Sequence, residues 1–130
     1  MANPNIVNVT AIYGTTTYYT PTGTTAVVLL TNAASSGLVY KINNIVASNV
    51  TGTAANATVS IYTNGAVAQG SAPSGGTAYP IVSTVSVPTS ASLIVADKTT
   101  GIYLMEGTCI AITSGTASAI TYSISYENIS

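Results

Sequence analysis

The chain has no histidine, no phenylalanine and no tryptophan, a single cysteine, and only two basic and three acidic residues among 130. Both basic residues are lysines, Lys41 and Lys98, so arginine is missing too. Each absence removes a class of chemistry. Without histidine there is no near-neutral general base and no imidazole metal ligand, and a histidine-based serine or cysteine triad is excluded. Without arginine there is no planar fork for two-point binding of carboxylate or phosphate. Two lysines cannot neutralise a row of phosphates or hold an anionic bilayer, which argues against nucleic acid and membrane as partners. No stretch approaches the roughly 18 apolar residues that span a bilayer. The opening Met1-Ala2-Asn3-Pro4-Asn5 lacks the basic start of a secretory signal. Cys109 cannot form an internal disulfide and reads as a buried, unactivated thiol.

Charged residues make up 4% of the chain, against roughly 25% in an average soluble domain. A protein that diffuses alone keeps itself soluble largely through interspersed surface charge. A surface this neutral suits a molecule that lies against other protein, and the expectation is a homo-oligomer or a subunit of a larger assembly.

What is present is 47% hydrophobic residues, chiefly Val, Ile, Ala, Leu and Tyr, with Thr and Ser filling most other positions. β-Branched side chains lose less rotamer freedom in pleated strands than in helices, so the composition favours sheet. The length fits one domain, 1–130, with one core. No window keeps helical spacing for three turns without Gly, Pro or Asn interrupting it. The segments between turn signals predict strands at Ile6–Tyr13, Thr24–Thr31, Leu38–Asn49, Ala57–Thr63, Ala78–Val87, Ser92–Asp97, Gly101–Met105, Thr108–Thr113 and Ala119–Glu127. Eight or nine short strands spaced by about ten residues imply an all-β, antiparallel β-sandwich of jelly-roll or immunoglobulin-like type.

Within these segments the phase of the apolar residues is informative. Ile120, Tyr122, Ile124 and Tyr126 alternate with Thr121, Ser123 and Ser125, which predicts one buried and one hydroxylic face. In the third segment Leu38, Tyr40 and Ile42 occupy even positions and Ile45 and Ala47 odd ones, so a bulge near Asn43-Asn44 is needed to restore register. Ala26–Leu30 and Leu93–Ala96 are apolar on both faces. Either they form an intersubunit surface, with Val27, Leu29, Leu93 and Val95 as its residues, or they are central strands under a loop. Gly-Thr pairs at Gly14, Gly23, Gly52, Gly76, Gly107 and Gly115 read as hairpin punctuation that opens strands. The longest expected loop, Gly65 to Gly76, reads as a flexible connection.

Chemistry is thinly supplied. Paired-carboxylate hydrolysis would need two of Asp97, Glu106 and Glu127 to face each other, yet Asp97 stands beside Lys98, where a turn ion pair is the simpler reading. The dense acidic spacing of a calcium loop is absent, and no cofactor or metal is called for. The Asn-x-Ser/Thr patterns at Asn8, Asn49, Asn56 and Asn128 are what a chain rich in these residues produces by chance. Tyr18-Tyr19 is more suggestive. Neighbouring strand residues point to opposite faces, so at most one of the pair is core, and the exposed ring could anchor a protein interface or stack on a sugar.

The C-terminal half reads Val85-Ser86-Val87-Pro88, Ala91-Ser92-Leu93-Ile94-Val95, Ile102-Tyr103-Leu104-Met105-Glu106-Gly107-Thr108 and Ile120-Thr121-Tyr122-Ser123-Ile124-Ser125-Tyr126-Glu127. With Met1 to Tyr13 and Leu38 to Val50, this resembles small β-sandwich virion proteins of tailed bacteriophages, particularly those of marine cyanophages. The resemblance implies a non-enzymatic virion structural protein, a capsid decoration subunit or an accessory at the neck or tail. Its partners would be phage capsid, neck or tail proteins, and assembly would take place in the host cytoplasm. The alternatives are a subunit of a self-assembling extracellular filament and a carbohydrate-binding β-sandwich module.

Overall fold

The computed structural model describes residues 9–64 and 67–130. Among them lie nine strands and no helix: β1 (Ile12–Tyr19), β2 (Val27–Thr31), β3 (Val39–Asn49), β4 (Ala55–Tyr62), β5 (Ala78–Val87), β6 (Ser92–Ala96), β7 (Ile102–Leu104), β8 (Cys109–Ser114) and β9 (Ile120–Ile129). One sheet runs β1-β9-β3-β6, with β7 also paired to β3, and the other runs β2-β8-β4-β5. All pairings are antiparallel, and β1 with β9, β2 with β8, β3 with β6 and β7, and β4 with β5 form a nested set. The chain is thus one long hairpin rolled into two layers, the strand order of a jelly roll. The fold is an antiparallel β-sandwich, as the spacing of the turn signals predicts.

The layers meet on the alternating residues. Ile120, Tyr122 and Ile124 of β9 are buried, as are Ile42 and Ile45 of β3, Ala57 and Val59 of β4, and Ile110 and Ile112 of β8. Asn43 is the extra residue in β3, where register slips between Ile42 and Asn44, so both isoleucines face inward despite their opposite parity. With no Phe or Trp to fill the centre, Tyr122 is the largest fully buried side chain. A buried hydroxyl needs a partner, and its Oη donates to the Thr113 carbonyl at 2.6 Å. Burial pushes this phenol up to about 12.

Two buried asparagines fasten loops to the sandwich. Asn32 Nδ2 donates to the carbonyls of Leu38 (2.9 Å) and Leu104 (3.0 Å), while its Oδ1 accepts from the Ser36 hydroxyl. Asn49 Nδ2 donates to Thr53 and Val87 carbonyls at 2.7 and 3.0 Å, and its Oδ1 accepts from the Thr51 amide and hydroxyl. Asn49 therefore has a structural use for both ends of its amide.

The first strand departs from expectation. The sequence predicts a strand at Ile6–Tyr13; residues 6–8 of that span lie outside the described residues, and β1 occupies Ile12–Tyr19 instead. Gly14, expected to be a turn, sits inside the strand, where a Cβ would meet nothing within 4 Å. The expected flexible loop also has a definite role. Its described part pairs with β2: Val28 N donates to the Ser71 carbonyl at 2.8 Å, and Gly70 N donates to the Val28 carbonyl at 2.9 Å.

Candidate functional site

A two-sheet sandwich has four edge strands, each with a row of backbone groups that a further strand could pair with. Among the described residues three are closed and one is open. At β2, the 67–71 segment supplies the backbone bonds just described, and Gln69 Nε2 adds a bond to the Leu29 carbonyl at 2.9 Å. At β5, Pro80 removes a donor, two register slips bulge the strand, and Thr84 stands at φ 51° with its amide turned back to the Thr58 hydroxyl. Opposite β1 in the first sheet, the edge is divided between β6 and β7, of five and three residues, with charged Asp97 and Lys98 in the turn between them.

By contrast, β1 is eight residues long and pairs with β9 in unbroken register from Ile12↔Ile129 to Tyr19↔Tyr122. It holds no proline, no charge and no bulge, and among the described residues no strand pairs with its other side. Its backbone direction follows from its start. Ala11 and Ser130 exchange both amide–carbonyl bonds, at 3.3 and 3.0 Å. Bonded pairs alternate along an antiparallel ladder, so Tyr13, Thr15, Thr17 and Tyr19 turn their backbone groups toward β9. Ile12, Gly14, Thr16 and Tyr18 turn theirs outward, to the open edge.

Side chains follow the same parity. Tyr19 packs against the core, opposite buried Tyr122. Its ring lies under Gly70, where a Cβ would come within 3.0 Å of the phenol oxygen and where φ is +86°. Tyr18 stands on the solvent face at 70% exposure, with Ile12 on the same face at 51%. Around them that face is a mesh of hydroxyls. Thr16 bonds Ser125 at 2.8 Å, Thr20 bonds Thr121 at 2.8 Å, and Ser48 bonds Ser92 at 3.1 Å. Charge on this face is confined to Lys41 and Glu127, paired with each other at 3.8 Å.

The candidate interface residues are thus divided by the fold. Tyr18 is exposed, whereas Tyr19 and Val27 pack against the core and Leu29 is 1% exposed, inside it. Leu93 and Val95 also pack inward, and Ile94 is the residue of β6 that faces out, at 66% exposure. The candidates fall on three edge strands, β1 and β6 at opposite edges of one sheet and β2 at an edge of the other. Leu29 is consequently unavailable to a partner, and the apolar character of β2 on both faces is used within the subunit. Sequence reasoning missed Ile12, Gly14 and Thr16 as edge residues. The available signal was charge: no acidic or basic residue precedes Lys41.

The chemically capable side chains are otherwise engaged. Asp97 accepts from the Thr99 hydroxyl and amide at 2.5 and 3.0 Å, which holds its carboxyl below the usual value. Hydroxyls, not Lys98, therefore organise that turn. Cys109 is buried, and burial pushes its thiol up. Among the described residues no three His, Cys, Asp or Glu side chains gather as a metal site. What the arrangement offers is a strand edge whose outward donors and acceptors meet no partner among the described residues, beside a face whose one ion pair is self-neutralising. No family model matches the chain, and neither does any curated protein or solved structure.

Proposed function

We propose that this chain is a non-enzymatic structural subunit that works by binding protein, and that it does so on the particle of a tailed bacteriophage as a decoration subunit or a neck or tail accessory. The observation that carries the first part is the edge of β1, which among the described residues has none of the devices that close the other three. A long, uncharged edge strand in water is a standing hazard for uncontrolled association, and proteins that must remain alone blunt such edges. The hydroxyl-rich face beside it adds contact area free of charge repulsion.

The placement on a phage particle rests on the sequence resemblance. The jelly-roll order is compatible with it, since that architecture serves capsid proteins and lectins alike, but a fold alone does not choose between functions. Sedimentation velocity over a roughly hundredfold concentration range tests the assembly reading by mass action. Peptide mass spectrometry of gradient-purified phage particles from the producing host tests the location. A discrete oligomer and a stoichiometric presence in particles are expected. A monomer at every concentration that is also absent from particles overturns the proposal.

A further inference from the structure

The partner that fits the open edge best is a second copy of the same edge. Resting on the reading of the chain as an assembly subunit, we infer that β1 pairs with β1 of another copy, antiparallel, about a two-fold axis through Thr15.

The argument is one of register. A two-fold axis perpendicular to a sheet keeps each residue on its own face, so directly opposed residues must share parity. Centring the axis on Thr15 opposes Ile12 to Tyr18 and Gly14 to Thr16, each twice. These four residues are the ones whose backbone groups point outward, given the Ala11–Ser130 bonds and the unbroken β1–β9 register. Every outward N–H then meets an outward C=O of the other copy, and none is left over on either strand. Moving the centre to Thr16 instead opposes Ile12 to Thr20, beyond the end of β1 at Tyr19, and loses a bonded pair.

Side chains agree with the same register. Ile12 and Tyr18, the two exposed large side chains on the solvent face of β1, become cross-strand neighbours, a β-branched–aromatic pair of the kind that stabilises sheets. Gly14, with no side chain, opposes Thr16. No charge lies on the strand, and the nearby Lys41 and Glu127 neutralise each other. The complete ladder holds eight hydrogen bonds across the seam; at about one bond per 100–200 Å² this corresponds to roughly 800–1,600 Å² of interface, spanning weak association and the lower part of the range of stable dimers. The contact is isologous and closes after two copies, so it does not by itself grow a fibre.

The test uses the full chain. Thr16→Pro removes an outward N–H at the heart of the seam while leaving the bonds to β9, a place where an edge strand tolerates proline. It is expected to raise the dimer dissociation constant by about a hundredfold, since one hydrogen bond is lost at each of two symmetric points. If that variant fails to fold by circular dichroism, Tyr18→Lys replaces it and sets a charge opposite Ile12. Thr15→Cys reports register: unbonded opposed residues lie about 4.5 Å apart at Cα, within the range a disulfide bridges. Oxidation should link Thr15→Cys dimers and leave Thr16→Cys unlinked. An oligomer that survives Thr16→Pro, or one linked through Thr16→Cys, overturns the β1 pairing while the assembly reading stands. A lone monomer that is nevertheless present in phage particles does the same. A monomer absent from particles overturns both.

Discussion

β1 and β5 are both edge strands, eight and ten residues long, in the two sheets of one sandwich. They are built in opposite ways. β5 carries a proline, two bulges and a residue at positive φ, each of which spoils a ladder for an incoming strand. It can therefore expose most of its length, including Tyr79, and remain unpaired. β1 exposes a similar length with none of these features. The contrast teaches that exposure alone does not mark an interaction strand. The condition of the outward-facing backbone does.

The comparison can be broken first by removing the support common to both edges. Tyr122 links the layers, and its phenol is pushed up to about 12 by burial, against 10 in the unfolded chain. An acid whose folded pKa is raised contributes stability that is whole below pH 10 and is lost as pH climbs from 10 toward 12. About two units at 1.36 kcal/mol each gives a loss on the order of 2–3 kcal/mol. Chemical denaturation at pH 8, 10 and 11.5 should show a steep fall over the upper interval, and Tyr122→Phe should reduce it, leaving the part due to Tyr40 and Tyr126, which burial also pushes up.

A second intervention separates the two sides of β1. Thr15→Pro deletes an N–H that faces β9, and is expected to cost about 1–3 kcal/mol of folding stability. Thr16→Pro deletes one that faces the open edge, and at protein concentrations low enough for the parent to be monomeric it should shift the urea midpoint far less. Equal losses would contradict the alternation assigned to the strand.

Opening the closed edge of β2 should have a smaller effect. Gly70→Ala places a Cβ at φ +86° against the Tyr19 ring, costing about 1 kcal/mol by backbone strain and loosening the 67–71 cap. Faster hydrogen exchange at the Val28 amide is the expected signature. Smallest in stability is Pro80→Thr, within about 0.5 kcal/mol as an edge substitution. It should nonetheless add concentration-dependent light scattering, because it returns a donor to β5. Silence there would mean that the bulges alone close that edge.

Most of the fold was legible because the strands obey local rules. The period-two pattern from Ile120 to Tyr126 marked β9, and the slip of phase between Ile42 and Ile45 marked the bulge at Asn43. β1 was displaced because Gly14-Thr15-Thr16-Thr17 offers no alternation: a strand covered on neither face along most of its length writes no apolar pattern. Strand order was not legible at all, since β1 meets β9 across nearly the whole chain. For the site, the rule that one of Tyr18 and Tyr19 faces out agrees with the geometry. The apolar runs of β2 and β6 left two readings open, an intersubunit surface or strands under a loop: the 67–71 segment covers β2, while in β6 a bulge at Val95 leaves Leu93 and Val95 packed inward and Ile94 exposed.

The bond between the Thr16 and Ser125 hydroxyls joins residues 109 positions apart. Closing a loop of that length is entropically costly and is rewarded only once the intervening strands are in place. Topology therefore predicts that the pairing of β1 with β9 forms late in folding, and that pairing is what aims the even-numbered backbone groups of β1 at the open edge. On the proposed pairing, association would be timed by the fold itself: a chain whose β1 and β9 have not paired would have no such edge to offer, and a copy would become competent to join another as it finishes.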